Sequence, residues 1–160
     1  MSNMPPLRIF LDTEFTSFNG PLLISFALVA ETSQALYLER AEGWSLEDCS
    51  DFVVETVLPL LGPPEQRAND LMIRWAVRSW FHSLDCETII CTDCLYFDEP
   101  LFKSLFTDRM NLWPAGLDQR FLEFDSPVVD VIIEKKGLRQ HHALDDAIAL
   151  KTAYLLESEF

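Results

Sequence analysis

The first third of the chain contains three short apolar runs separated by turn residues, and this arrangement limits the possible folds more than any other feature. Residues 7–11 form one apolar run, residues 22–30 form a second after an Asn-Gly-Pro turn signal, and residues 35–39 alternate apolar with polar side chains. Runs of this length bounded by turn residues are typical of β-strands. The pattern therefore predicts an antiparallel meander of three strands.

Helical and extended patterns alternate in the rest of the chain. The apolar spacing predicts strands over residues 88–92 and 120–124 and helices over residues 45–61, 65–82, 99–106, 128–136 and 143–157. A chain of 160 residues with 49% apolar side chains is long enough for one domain with its own core. We therefore expect residues 1–160 to form a single α/β domain, in which helices cover a mixed sheet of antiparallel and parallel strands.

The net charge restricts how such a domain could bind nucleic acid. The chain has 26 Asp and Glu against 12 Lys and Arg, a formal net charge of −14 and a pI near 4.4. Binding through a broad basic surface needs many Lys and Arg side chains that face phosphates. The composition excludes that mode, but it leaves open a small acidic site whose charge is offset by bound cations.

The apolar segments and the cysteines bear on the cell compartment. No segment reaches the roughly 18 apolar residues of a membrane span, and the N-terminus lacks a signal-peptide pattern, so we expect a cytoplasmic protein with no membrane partner. Cys91 and Cys94 form one Cys-x-x-Cys, but neither a second pair nor a His at zinc-finger spacing follows it. Reduced thiols are therefore favoured over a zinc site.

Asp12-Thr13-Glu14 ends the first predicted strand. Residues i and i+2 of a strand point to the same face, so the carboxylates of Asp12 and Glu14 should lie close together. Two carboxylates at the end of an apolar strand repel each other and lose hydration, and a hard divalent cation would relieve both costs. The alternative is that one of them faces solvent in a loop, because short acidic pairs are common.

The motif His-His-Ala-Leu-Asp-Asp at residues 141–146 adds a second acidic element. If the last helix begins at residue 142 or 143, Asp146 lies in its first turns, where the helix dipole favours an anion. On one helix His141 and Asp146 would be about 140° apart, so His141 can lean over the same site only as a loop residue. Histidine changes charge nearest to neutral pH and could accept a proton from an attacking water there. The alternatives are a capping role for His141 and a solvated position for Asp145.

A third acidic element lies in the middle of the chain. Asp98 stands where a loop enters the helix predicted over residues 99–106, and Pro100 suits the first turn of that helix. Asp98 is either a carboxylate of the site or an ordinary helix N-cap. Asp93, directly after the preceding predicted strand, is an alternative for the same role in the site.

In this order, the three motifs resemble those of the DEDDh 3′-to-5′ exonuclease superfamily, which includes the DnaQ-like proofreading subunits, ribonuclease T and oligoribonuclease. The likeness consists of Asp-x-Glu on the first strand, a Phe-Asp pair before a mid-chain helix and His-x-Ala-x-x-Asp near the C-terminus, and it covers residues 9–153. The middle motif departs from the family pattern, because Thr-Asp-Cys-Leu-Tyr at residues 92–96 replaces the usual His-Asn-containing approach to Phe-Asp. The resemblance implies a ribonuclease H-like fold.

The resemblance also implies a set of site residues. Asp12, Glu14, Asp98 and Asp146 would hold two Mg²⁺ or Mn²⁺ ions, and His141 would be the general base. Two such ions about 3.5–4 Å apart stabilise charge on both the attacking and the leaving oxygen of a phosphodiester. Glu14 is further expected to accept a hydrogen bond from the terminal 3′-hydroxyl, which would favour a free 3′ end.

Neighbouring residues are expected to contact the substrate. Phe15 and Phe18 could stack on the last one or two bases at about 1–3 kcal/mol per base, with core packing or loop coverage as the alternative. Thr13, between the two acids, is a further candidate for substrate binding. Arg139 lies two residues before His141 and is placed to contact a phosphate, although a loop arginine is commonly just solvated.

The expected activity is a metal-dependent 3′-to-5′ exonuclease that releases nucleoside monophosphates from single-stranded ends. Residues 9–15 and 23–30 are similar to a small bacterial branch typified by RNase AS, a polyadenylate-specific exoribonuclease, and this likeness favours RNA over DNA. The alternatives are a catalytically silent exonuclease-like module that binds a nucleic-acid end or a basic protein, and an acidic mimic of nucleic acid. A homodimer is a further expectation, with aromatic residues such as Trp44 and Trp113 at its interface.

Overall fold

A computed structural model of the chain describes residues 4–106 and 117–160. Five strands form one sheet: β1 (Leu7–Phe15), β2 (Leu23–Ala30), β3 (Ala35–Glu39), β4 (Thr88–Thr92) and β5 (Leu117–Glu123). Their order across the sheet is β3-β2-β1-β4-β5. The pairs β1–β2 and β2–β3 are antiparallel, whereas β1–β4 and β4–β5 are parallel. The predicted meander and the predicted mixed sheet are therefore confirmed.

In the part of the chain that the structure describes, four α-helices cover the two faces of this sheet: α1 (Asp70–Leu84), α2 (Leu95–Ser104), α3 (Val129–Lys136) and α4 (Ala143–Ser158). The alternation of side chains along β1 divides the core between the faces. Ile9 and Leu11 belong to the core cluster that α1 and α2 complete, whereas Phe10 packs against Leu150 of α4. Small side chains allow a close approach of α4 to the sheet, where Ala143 packs with residues of β2.

The same topology brings polar residues to one edge of the sheet. Strands β1 and β4 are parallel neighbours, so their carboxyl ends lie side by side. Helix α2 begins three residues after the end of β4, and the N-terminus of α4 lies against β1 and β2. Residues at the ends of β1 and β4 and at the starts of α2 and α4 therefore meet at this edge, as in other sheets with parallel strands.

The prediction of one regular helix over residues 45–61 is wrong. The chain forms a short 3₁₀ turn at Leu46–Asp48, a π-helical turn at Val53–Val57 and a second 3₁₀ turn at Leu58–Leu60. The first turn ends where the backbone of Cys49 is extended. Pro59 explains the later change at Leu58–Leu60, because it has no N–H for the helical ladder and its ring clashes with the preceding turn. This irregular segment nevertheless buries Val53 and Val57 against the sheet.

Two predicted helix starts also change. Helix α1 begins at Asp70 rather than near residue 65, because the side chain of Asn69 accepts a hydrogen bond from the N–H of Met72 at 2.9 Å and caps the helix there. Helix α2 begins at Leu95, four residues earlier than predicted. Asp98 is therefore inside the helix and is not its N-cap. The expectations for α3, α4 and β5 are confirmed to within a few residues.

Within residues 4–106 and 117–160, no helix is long and apolar enough to cross a membrane. Trp44, expected at a dimer interface, is half-buried, and its indole N–H donates to the carbonyl of Arg40 at 2.9 Å. Trp113 lies outside the described residues. The homodimer stays a prediction.

Candidate active site

Asp12 and Glu14 lie at the carboxyl end of β1 and point to the face covered by α4, as the i, i+2 spacing predicts. Thr13 points to the other face, where it is buried. Its hydroxyl donates a hydrogen bond to the carboxylate of Asp98. The side chain of Thr13 therefore supports a carboxylate of the site, and this contact differs from the substrate contact expected for it.

Asp98 is held from two sides. It is 3% exposed, and its two carboxylate oxygens accept hydrogen bonds from the hydroxyls of Thr13 and Thr92, one from each neighbouring strand. Asp93, the alternative from the sequence, is exposed and lines the cleft described below. The structure brings both acids to the site, since carboxylate oxygens of Asp93 and Asp98 lie within 4.8 Å of each other and of Asp12.

Asp146 lies in the first turn of α4, as expected, and anchors the loop before the helix. Its Oδ2 accepts a hydrogen bond from the backbone N–H of His141 at 3.0 Å. His141 precedes the helix with φ +65°, a left-handed conformation that is strained for a residue with a side chain. His142 is the N-cap position, and its buried ring lies 4.6 Å from that of Tyr37. Burial lowers the pKa of His142, which disfavours its charged form.

Asp12 belongs to two overlapping groups of acids. Oxygens of Asp12, Glu14 and Asp146 lie within 4.8 Å of one another, and so do oxygens of Asp12, Asp93 and Asp98. Oδ2 of Asp12 and Oδ1 of Asp146 are buried and have no hydrogen-bond partner among the described residues. A buried carboxylate oxygen without a partner is costly unless a cation or a proton compensates it.

The carboxylates perturb one another strongly. Burial, followed by the charges of Glu14 and Asp98, raises the pKa of Asp12 well above its usual value. Burial and the charges of Asp146 and Asp98 raise the pKa of Glu14 to about 8. Burial likewise raises the pKa values of Asp98 and Asp146 to about 7, although the hydrogen bonds from Thr13 and Thr92 to Asp98 oppose the change. Without a cation, the cluster therefore holds protons near neutral pH.

Asp12, Glu14, Asp93 and Asp146 line a cleft of about 660 Å³, whereas the buried Asp98 is not one of its lining residues. His141 stands at its rim, and the ring of Phe52 contacts the imidazole edge-on at a centroid distance of 5.1 Å. Phe15 and Phe18 form one wall, with ring centroids 5.6 Å apart. Phe18 is 76% exposed, whereas Phe15 is half-buried and stacks on Phe97 at 5.1 Å. The cleft thus combines an acidic floor with aromatic walls.

The structure gives Arg139 a different partner from the phosphate expected for it. Its backbone N–H and Nε both donate to Oδ2 of Asp145, at 2.8 and 2.9 Å, and Nη2 donates to Oδ1 at 3.3 Å. Asp145 is correspondingly 8% exposed, so the expectation that it is a solvated acid is wrong. Arg139 and Asp145 together fix the loop that carries His141.

Sequence reasoning missed two contributors to the site. The hydroxyl of Thr92 holds Asp98, and the position of Thr92 at the end of a buried strand was the available signal. Phe52 contacts His141 from the irregular segment after β3, and no local pattern indicates this contact.

Cys91 and Cys94 are free thiols, and burial raises the pKa of each. They are not among the clustered metal-binding groups of the described residues.

No protein-family model matches the sequence, and no curated protein matches it at the sequence level. Solved structures of exonuclease I are similar in fold. The enzyme from Methylocaldum szegediense has a TM-score of 0.62 and 12% identity, over 97% of this chain and 41% of that one. An apo exonuclease I structure gives 0.60 and 13%, over 98% of this chain and 42% of that one. E. coli exonuclease I in complex with a 5cy-dA13 oligonucleotide gives 0.55 and 13%, over 92% and 39%.

The chain therefore spans about two fifths of the length of these neighbours. At such low identity the likeness establishes the fold, and the ribonuclease H-like mixed sheet expected from the motifs is confirmed.

Proposed function

We propose that this chain is a divalent-metal-dependent 3′-to-5′ exonuclease that releases nucleoside monophosphates from single-stranded 3′ ends. The observation that carries the proposal is the convergence of acids from three separate parts of the chain in one cleft, with His141 at the rim. The shared fold with exonuclease I, one example of which is solved with an oligonucleotide, supports the same reaction class. A catalytically silent module would not need this set of mutually repelling acids.

The residues present fit a pair of hard cations. Asp12 belongs to both groups of acids, and the partnerless oxygens of Asp12 and Asp146 supply the donor type that Mg²⁺ and Mn²⁺ prefer. Asp12, Glu14, Asp98 and Asp146 would hold the ions, with Asp93 beside them. When bound, the ions would activate water and offset charge on the scissile phosphate.

The protein side chains would perform the remaining tasks. His141 would accept a proton from the attacking water. Hydrogen bonds from the backbone N–H groups of residues 139 and 141 to the first turn of α4 support this role, because they fix the loop that carries the imidazole. Thr13 and Thr92 orient Asp98 from beneath. Glu14, beside the cleft, would accept a hydrogen bond from the terminal 3′-hydroxyl, and Phe18 offers an exposed ring to the terminal base.

RNA is the favoured substrate, and this preference rests on the sequence likeness of the first two strands to the RNase AS branch. The purified chain with Mg²⁺ or Mn²⁺ should shorten 5′-labelled RNA oligonucleotides progressively from the 3′ end, and DNA of the same sequence more slowly. Blocking the 3′-hydroxyl with phosphate should slow the first step. Intact RNA and DNA with both metals at several pH values would refute the proposal.

Two sets of variants connect the activity to the site. Asp12→Ala and Glu14→Ala should abolish shortening while retaining a cooperative unfolding transition, whereas Glu55→Gln, which removes an exposed acid outside the cleft, should retain full activity. His141→Ala should lower kcat more than it weakens Mg²⁺ binding measured by calorimetry. Equal losses in both quantities would make His141 a structural residue.

A further inference from the structure

A second groove of about 650 Å³ lies beside the cleft. The tip of the β1–β2 connection forms one side of it and helix α2 forms the other, and its lining includes Phe18, Pro21, Tyr96, Phe97 and Pro100. A groove of this volume accommodates a ligand of small-molecule size.

Aromatic rings connect the second groove with the cleft. Phe18 lines both cavities. The ring of Phe97 lies 5.3 Å from that of Phe18 and 5.1 Å from that of Phe15, and the ring of Tyr96 lies 5.0 Å from that of Phe97. The rings of Phe15, Phe18, Phe97 and Tyr96 therefore form a continuous series from the cleft to the first turn of helix α2.

The outer rings of this series are strongly exposed. Tyr96 is 81% exposed and Phe18 is 76% exposed. Exposed aromatic faces that line a groove and continue a site are typical of binding surfaces. Such faces stack on nucleobases of any identity, since every base has a π-face.

The charge of the second groove indicates which part of a nucleotide could bind there. Arg40 is the one charged residue among the lining residues that the structure describes, and its Nε and Nη2 both donate to the carboxylate of Asp70 at 2.7 Å. Its charge is therefore compensated within the protein. Pro100 has no N–H to donate to the carbonyl of Tyr96, four residues earlier, so a backbone acceptor adjoins the aromatic ring. Uncharged aromatic groups with hydrogen-bond donors fit this lining better than phosphates.

We propose that the second groove binds the bases of the nucleotides immediately upstream of the 3′-terminal nucleotide, with Tyr96 as the outer stacking residue. This inference rests on the proposed exonuclease function and extends it. The terminal nucleotide lies over the acids of the cleft, the strand passes Phe18, and the next bases stack along Phe97 and Tyr96 while their phosphates stay in solvent. The protein then prefers substrates that are longer than a dinucleotide.

The test compares substrates of increasing length. For the wild type, we expect kcat/KM to be higher for an RNA of about six nucleotides than for a dinucleotide. The length ratio is the first of these values divided by the second. Tyr96→Ala should lower this ratio about fivefold or more, as loss of one stacking contact predicts. Trp75→Ala is the matched control, because Trp75 is a 73% exposed aromatic on α1 that lines neither cavity, and it should leave the ratio unchanged. With the wild type, abasic nucleotides at the upstream positions should lower the length ratio as much as Tyr96→Ala does. With the Tyr96→Ala variant, the same abasic substrate should lower the ratio little further.

The outcomes separate this inference from the proposed function. The second-groove assignment is overturned if the dinucleotide is cleaved and neither Tyr96→Ala nor abasic substitution changes the length ratio. The proposed exonuclease function would then remain intact. The same assignment is overturned if Tyr96→Ala instead changes the sedimentation coefficient of the free protein, because the groove then binds a second copy of the chain. Failure to cleave substrates of every length overturns both.

Discussion

Glu14→Gln should stabilise the protein when divalent cations are absent, although it removes a residue of the proposed catalytic site. Burial and the charges of Asp146 and Asp98 raise the pKa of Glu14 to about 8, against 4.5 for an ordinary glutamate. Between these two pH values the folded state retains a proton that the unfolded state has released. The associated stability is complete below about pH 4.5 and is lost as the pH rises through about 8.

The size of the effect follows from the difference between the two pKa values. At 1.36 kcal/mol per pKa unit, about 8 against 4.5 corresponds to about 5 kcal/mol, which is an upper limit. Glu14 titrates together with neighbouring carboxylates and its side chain is partly exposed, so we expect only about 2 kcal/mol of this limit to be realised. A glutamine at this position needs no proton, and its amide can donate to Asp146. For a chain of this size, about 2 kcal/mol raises Tm by about 4–8 °C.

The assay is thermal unfolding in EDTA at pH 8 and at pH 5. Glu14→Gln should be more stable than the wild type at pH 8, and the difference should fall below about 1 kcal/mol at pH 5, where the wild-type side chain is protonated. Adding Mg²⁺ at pH 8, at a hundred times its dissociation constant, should raise the free energy of unfolding of the wild type by about 2.7 kcal/mol and so raise its Tm. The variant should be stabilised by less.

Glu55→Gln provides the control for the loss of one negative charge from a chain of net charge −14, and it should change Tm little at either pH. A Glu14→Gln variant that is no more stable than the wild type at pH 8 in EDTA would refute the argument. So would a stability gain of equal size at pH 5 and pH 8, because that gain would come from packing and not from charge.

Other consequences of the site geometry are open to direct measurement. Asp98→Ala should lower kcat by at least about 100-fold and Asp93→Ala by less, because Asp98 is buried and oriented by two hydroxyls; single-turnover rates with the reverse ranking would reassign the third carboxylate. Thr92→Val should raise the pKa of Asp98 further, by removing a hydrogen bond that lowers it, and weaken Mg²⁺ binding about tenfold in calorimetry at pH 7. Arg139→Gln should cost about 1 kcal/mol in urea unfolding, since Arg139 is half-exposed, and this loss should shrink as the pH falls because the hydrogen bonds from Arg139 hold the pKa of Asp145 below its usual value. Finally, kcat/KM for RNA should depend weakly on salt; a slope equivalent to several phosphate contacts would contradict a binding mode based on stacking.

The parts of the fold that could be predicted from the sequence are those whose signals are local. The three strands of the meander are bounded by turn residues, and the C-terminal helix begins where Asp146 suits its dipole and ends near the predicted residue. The segment at 45–61 was harder because its apolar spacing fits a helix while Pro59 interrupts the ladder. Local apolar spacing indicates which side chains become buried, but it does not determine whether the backbone forms an α, π or 3₁₀ turn.

The acids of the site could be predicted for a related reason, and their supporting contacts could not. Asp12, Glu14 and Asp146 occupy strand-end and helix-start positions that a parallel sheet brings together. The ion pair between Arg139 and Asp145 depends on the path of a short loop, and a loop arginine gives no sequence signal that distinguishes a phosphate partner from a carboxylate partner. Pairings of this kind become visible only when the loop has a defined conformation.

The distribution of charge shows how an acidic protein could act on the proposed polyanionic substrate. Arg40, which lines the second groove, and Arg139, two residues before His141, are each bound to a carboxylate of the protein, so they contribute little positive potential for phosphates. The acids of the cleft would act differently, because cations bound there would offset their negative charge beside the one phosphate that reacts. Binding of the remaining nucleotides would then depend on the rings that extend from Phe15 to Tyr96, which would stack on uncharged bases. An overall charge of −14 is compatible with this division, since phosphates that are not cleaved need no basic surface on the protein.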